Sequence, residues 1–141
     1  MNPPLIVKYG KRNLATNKNF TVAETSEPPQ VQIDPEGCYT LVMIDPDAGA
    51  GKGRETGLYF LHWLVVNISG GALERGKTIV SYFPPSPPSG KHTYIFQLYK
   101  QECSMMYNLN RPKELSNWSL PEFLQGKKLT LVSEVAMKSG Q

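Results

Sequence analysis

The stretch CYTLVMIDPDA, Cys38 to Ala48, decides how the chain is read. Tyr39 to Ile44 is an unbroken run of β-branched, aromatic and long apolar residues, bounded by Gly37 and by Asp45-Pro46. A run that short reads as a strand buried on both faces rather than as a helix. Proline lacks a backbone N–H and holds its predecessor extended, so the ladder stops at Asp45-Pro46-Asp47. Two carboxylates therefore leave the most buried strand side by side. That placement suits a site needing fixed acceptors. It is equally the chemistry of an ordinary turn, which Asp and Pro favour.

Outward from this strand the pattern is β throughout. Residues 4–9 (PLIVKY) and 19–24 (NFTVAE) read as strands, and 30–33 (QVQI), after Pro28-Pro29, as an edge strand. Residues 48–58 (AGAGKGRETGL) carry four glycines and little apolar content, the mark of a mobile surface loop. A second buried run follows at 59–68 (YFLHWLVVNI), then a strand at 77–83, a rigid loop from Pro84 to Gly90, and a long alternating strand at 92–101. Residues 102–116 read as loop. Ser119-Leu120-Pro121-Glu122 begins a helix of about two turns, with Ser119 as cap and Gly126 as stop, and 129–137 closes the chain as a strand. There is no internal repeat and no boundary, so residues 1–141 form one all-β dominated domain.

Composition narrows the function classes. Hydrophobic residues make up 40% and charged residues 19% of the 141, which is globular rather than disordered. Twelve prolines and twelve glycines favour a turn-rich β fold over a helical bundle. A net charge of +3, scattered over short clusters, argues against nucleic acid as partner. No apolar stretch approaches the roughly 20 residues that span a bilayer, and no basic amphipathic helix would anchor the chain, so membrane contact is at most peripheral. MNPPLIVKYGKRN lacks the pattern of a secretory leader. The expected location is cytoplasmic, with Cys38 and Cys103 as free thiols. The glycosylation sequons at Asn19, Asn67 and Asn117 then carry no meaning.

Both histidines, His62 and His92, stand inside apolar runs, where an imidazole is commonly a hydrogen-bonded core residue. Their combination with the two aspartates is more informative. If the strands are neighbours, Asp45, Asp47, His62, His92 and Tyr94 converge. Such a set could ligate a metal, although no HxxxH or HxH spacing supports it. It could perform acid–base catalysis, although no nucleophile or Gly-rich phosphate cradle accompanies it. It could instead hold a small anion or zwitterion in a static pocket. Composition leaves the three open.

The same residues resemble a known family, the phosphatidylethanolamine-binding proteins, which include Raf kinase inhibitor proteins and plant flowering regulators. Asp45-Pro46-Asp47-Ala48 is similar to the family's Asp-Pro-Asp-x-Pro signature, His62-Trp63-Leu64-Val65-Val66-Asn67 to its His-Phe-Leu-Val-Val-Asn strand, and Gly90-Lys91-His92-Thr93-Tyr94 to its Gly-x-His-Arg-Tyr motif. The three occur in order across residues 38–101. The resemblance implies a large antiparallel sheet packed on a smaller one, with one or two short peripheral helices. It also implies a non-enzymatic protein with a pocket for phosphate-like anions or phosphorylethanolamine headgroups, needing no cofactor or metal. That pocket would comprise Asp45, Pro46, Asp47, Phe60, His62, Pro87, Pro88, Gly90, His92 and Tyr94, with Phe60 where many members carry tryptophan. A protein partner, such as a kinase or other signalling protein, is a further implication. The alternatives are an Asp/His-dependent hydrolase and an interaction scaffold with a vestigial pocket. Two departures stand out: Gly49 replaces the signature's last proline, and Thr93 replaces the arginine. Residues 102–141 match poorly, and the family's C-terminal helix beside the pocket has no counterpart.

Overall fold

The structure, a computed structural model, describes residues 4–15, 18–48, 53–86 and 90–140. Gly49, Pro87 and Pro88 lie outside the described residues. Ten strands, β1 (Leu5–Tyr9), β2 (Arg12–Asn13), β3 (Asn19–Phe20), β4 (Gln30–Ile33), β5 (Cys38–Asp45), β6 (Leu58–Ser69), β7 (Lys77–Val80), β8 (Lys91–Gln101), β9 (Trp118–Ser119) and β10 (Thr130–Gly140), account for most of the regular structure. They form a three-stranded sheet, β2-β1-β4, and a larger one in the order β3-β10-β8-β5-β6-β7, with β9 paired to β6. Every pairing is antiparallel except β3 with β10, which is parallel. The expected large sheet packed on a smaller one is what the chain adopts.

β5 lies inside the large sheet, and all eight of its residues are buried. Alternation along it divides the core in two. Leu41 and Met43 face the small sheet and meet Val7, Tyr9 and Phe96. Val42 and Ile44 face the other way, where Tyr107, Leu115 and Trp118 from the segment after β8 cover them. That segment, without regular structure up to β9, is pinned by a buried amide network. Gln101 Oε1 accepts from Thr40 Oγ1 at 2.7 Å, and Gln101 Nε2 donates to Asn67 Oδ1 at 2.9 Å. Asn67 in turn exchanges two bonds with the backbone of Tyr107.

Three local expectations need correction. Residues 21–24 do not extend β3, because Thr21 and Glu24 bond reciprocally: Glu24 N donates to Thr21 Oγ1 and Thr21 N to Glu24 Oε1. A side chain that satisfies nearby backbone offers a turn in place of a ladder. The glycine-rich stretch after Asp47 contains one helical turn, α1 (Gly53–Thr56). The helix capped by Ser119, whose Oγ accepts from Glu122 N, is α2 (Leu120–Leu124), shorter than expected and followed by Gly126 at φ +75°.

The expectation of free thiols is overturned, since Cys38 and Cys103 form a disulfide with their Cα atoms 5.2 Å apart. Cys38 opens β5 directly across from Gln101 at the end of β8, and the chain needs only two more residues to turn back onto it. Sequence separation hid this proximity; sheet register creates it. A disulfide belongs to oxidising surroundings, which sets this pairing against the expected reducing compartment. Among the described residues, no helix is long and apolar enough to cross a membrane.

Two outcomes follow from this architecture. The bridge closes a sequence separation of 65 residues, for which the chain-entropy argument gives about 4 kcal/mol of stabilisation. Urea unfolding with and without a dithiol reductant should therefore separate by roughly 2–4 kcal/mol, as should Cys38→Ser/Cys103→Ser from wild type; coincident midpoints would refute it. Gln101→Leu leaves the Thr40 hydroxyl and the Asn67 carboxamide without their buried partner, and should cost about 2–3 kcal/mol in the same measurement.

Candidate functional site

The site forms where β5 ends and β8 begins. Because these strands run antiparallel in the register Ile44 to Ile95, the last residue of β5 arrives beside the first turn of side chains on β8. Asp45 is buried, and its two carboxylate oxygens have separate tasks. Oδ1 accepts from the backbone N–H of Asp47 at 2.7 Å, closing the turn over buried Pro46. Oδ2 lies 2.7 Å from His92 Nδ1. A carboxylate only accepts, so Nδ1 of His92 carries the proton and Nε2 is the atom left for other partners. The His92 side chain is 19% exposed, against 4% for Asp45, so this contact faces solvent from its histidine side.

Asp47 reaches the same strand by another route. Its Oδ2 accepts from the backbone N–H of Thr93 at 2.7 Å. The exit of β5 is thus tied to the entry of β8 twice, once through an imidazole and once through a main-chain amide. The arginine that Thr93 replaces is not needed for this connection. Gly90, exposed at φ +67°, begins the turn into β8.

His62 enters from β6, on the other side of β5. Its Nδ1 lies 2.5 Å from the carbonyl oxygen of Phe83, and a carbonyl can only accept, so this nitrogen too carries the proton. Burial pushes His62 below its ordinary pKa of 6.5, against smaller opposing effects of the Phe83 carbonyl and Asp45. The ring is therefore neutral at neutral pH, and its Nε2 is an acceptor. The two histidines consequently differ: His92 is coupled to a carboxylate and accessible, whereas His62 is buried and uncharged.

Aromatic rings complete the cluster. Tyr94 stands edge-on to His62 with centroids 5.1 Å apart and stacks near His92 at 6.4 Å. Its side chain is almost wholly buried, and burial together with the Asp45 and Asp47 carboxylates holds its phenol well above the ordinary value, so it remains a donor. Phe60 lies 4.8 Å from His62 and 5.5 Å from Phe83. Phe83 is 44% exposed and forms an apolar rim. Of the residues expected at the site, Asp45, Pro46, Asp47, Phe60, His62, Gly90, His92 and Tyr94 meet in this region; Pro87 and Pro88 lie outside the described residues.

Sequence reasoning missed Phe83 and Ser139. Phe83 fixes the His62 tautomer through a carbonyl, which no residue type advertises, although its place before Pro84-Pro85 put it at the start of the shaped loop. Ser139 lies directly across from His92 on β10, fully buried, and among the described residues its Oγ has no hydrogen-bond partner. Among the described residues, no three His, Cys, Asp or Glu side chains are close enough to share a metal ion.

Comparison with known proteins agrees with this fold. A family model described as phosphatidylethanolamine-binding protein matches residues 3–137. Protein MOTHER of FT and TFL1 homolog 2 of Oryza sativa subsp. japonica is 33% identical over 140 residues, covering 94% of this chain and 78% of its own. Protein FLOWERING LOCUS T of Arabidopsis thaliana is 36% identical over 101 residues, 69% of this chain; the match spans little more than half of that relative, 57%. Among solved structures, carboxypeptidase Y inhibitor complexed with its cognate proteinase superposes with a TM-score of 0.82 at 22% identity, covering all of this chain and 85% of the inhibitor. With two sheets, an aspartate–histidine junction between β5 and β8, and a family match along almost its whole length, the chain belongs to the phosphatidylethanolamine-binding protein family.

Proposed function

We propose that this protein is a non-enzymatic binding module that takes a small anionic or phosphorylethanolamine-like ligand at the β5–β8 junction and acts through a protein partner. The observation carrying this reading is the division of labour at Asp45. Its carboxylate commits His92 Nδ1, so that Nε2 is the atom turned to a ligand and, whenever the ring is protonated, offers an anion a second N–H with the carboxylate behind it. Neutral His62 supplies the complementary acceptor, suited to an ammonium or hydroxyl on the same ligand. Phe60 and Phe83 flank it with apolar surface. The Tyr94 phenol lies beneath the two rings as a further donor.

Catalysis by the same residues is less well supported. A hydrolase using His92 as base would need a nucleophile within hydrogen-bond reach. Among the described residues, neither imidazole has a Ser, Thr or Cys side chain bonded to it. The hydroxyl nearest in register, that of Ser139, is buried and unpaired. The protein-partner half of the reading draws support from a relative in fold that is solved as a proteinase inhibitor in complex with its target. A kinase is one such partner class, and the disulfide favours an oxidising setting over the cytoplasm.

Titration of labelled protein with phosphorylethanolamine, followed by NMR, tests the ligand. Saturable shifts should be confined to 45–48, 60–62, 82–84 and 90–94 and be lost in His92→Ala. No shifts at millimolar ligand would refute the binding role, and turnover of a phosphoester that vanishes in both Asp47→Asn and His92→Ala would favour the enzyme.

The buried imidazole gives a separate expectation for pH. His62 titrates below 6.5 in the folded state, so the unfolded chain takes up its proton first on acidification. Its contribution to stability is complete above the unfolded value and is lost as pH falls through the folded one. Urea midpoints at pH 7.5 and 5.5 should therefore drop for wild type and drop less for His62→Gln. Equal drops would show that His62 does not carry this dependence.

A further inference from the structure

The far end of β5 carries a second cluster, roughly 23 Å along the strand from Asp45 at about 3.3 Å per residue. A cleft of about 560 Å³ opens there, lined by both cysteines of the disulfide, by Lys100, Lys127 and Lys128, and by Glu102 as its one acidic side chain. Cys103 is exposed and Cys38 is buried, so the accessible sulfur belongs to Cys103. Lys127 is anchored, its Nζ donating to the Phe123 carbonyl at 2.6 Å and lying over the Phe123 ring. Lys100 and Lys128 are exposed, and among the described residues their ammonium groups have no carboxylate partner. A disulfide thus lines a cationic cleft of small-molecule size.

We propose that this cleft is a thiol-exchange site for anionic low-molecular-weight thiols, with Cys103 as the residue modified. The attacking thiolate bonds to Cys103 Sγ as the Cys38–Cys103 bond breaks, and the electron pair leaves on Cys38. The proton given up by the incoming thiol ends on the Cys38 sulfur, so one thiol and one disulfide yield one thiol and one mixed disulfide. The lysines raise the local concentration of an anionic reactant and favour its thiolate form. Exchange frees Cys103 and its immediate neighbours. The rest of the 102–117 segment stays in place, held by the Gln101–Asn67–Tyr107 bonds. The modified state is therefore a folded one, opened at a single point.

The test compares glutathione, 2-mercaptoethanol and cysteamine, which are anionic, neutral and cationic, on the intact oxidised protein. Rates are normalised to thiolate concentration, and the adduct is mapped by mass spectrometry. Exposed charges of this kind, screened by salt, support a preference of about three- to tenfold for the anion over the cation. The mixed disulfide should form on Cys103. In Lys100→Gln/Lys128→Gln, and in wild type at about 1 M salt where the screening length falls to about 3 Å, the preference should collapse while the 2-mercaptoethanol rate is unchanged. Rates indifferent to thiol charge would overturn the proposal. So would an adduct on Cys38, or exchange that proceeds only at the rate of global unfolding.

Discussion

Burial of β5 on both faces is the constraint on which the rest of the molecule depends. A strand inside a sheet has no access to water, so each of its backbone polar groups must be met by a neighbouring strand. β6 and β8 meet that demand on either side, and their registers to β5 set the positions of everything they carry. Slipping either strand by one residue would exchange its two apolar faces and empty both core clusters. The ends of β5 are therefore located as firmly as its centre. Both ends are put to use: Cys38 at one closes the disulfide, and Asp45 at the other organises the site.

Asp45 also shows what the Asp-Pro-Asp sequence, which turn chemistry by itself explains, forms in the fold: a turn whose first carboxylate reaches beyond it. One carboxylate oxygen closes the turn and the other holds His92, so the turn is the device that aims the side chain. Repulsion between the two aspartates is relieved because each has its own donor, Asp47 accepting from Thr93 N.

The long strands were legible in the sequence because their apolar runs exceed what any turn could mimic; 38–44, 59–68 and 92–101 appear in the structure almost as read. Short segments were not, because there a single side chain can decide the conformation. Thr21 and Glu24 form a closed turn from residues whose propensities suit a strand. The convergence of Asp45, Asp47, His62, His92 and Tyr94 was legible only as a conditional, since it required β5 to lie between β6 and β8, an order that periodicity does not encode. The different surroundings of the two histidines were not legible at all. Burial keeps His62 neutral, and the Nδ1 proton is held by a carboxylate in His92 and by a main-chain carbonyl in His62, which could belong to any residue. The disulfide escaped for a related reason: compartment was inferred from the chain's first residues, while pairing is decided by register at residues 38 and 101.

Register also fixes the bond made at position 93. The bond from Thr93 to Asp47 uses a backbone N–H, which every residue except proline supplies, and its place is set by the β5–β8 ladder rather than by side-chain identity. What the substitution does change is charge: Thr93 carries none, where an arginine would be cationic at any physiological pH.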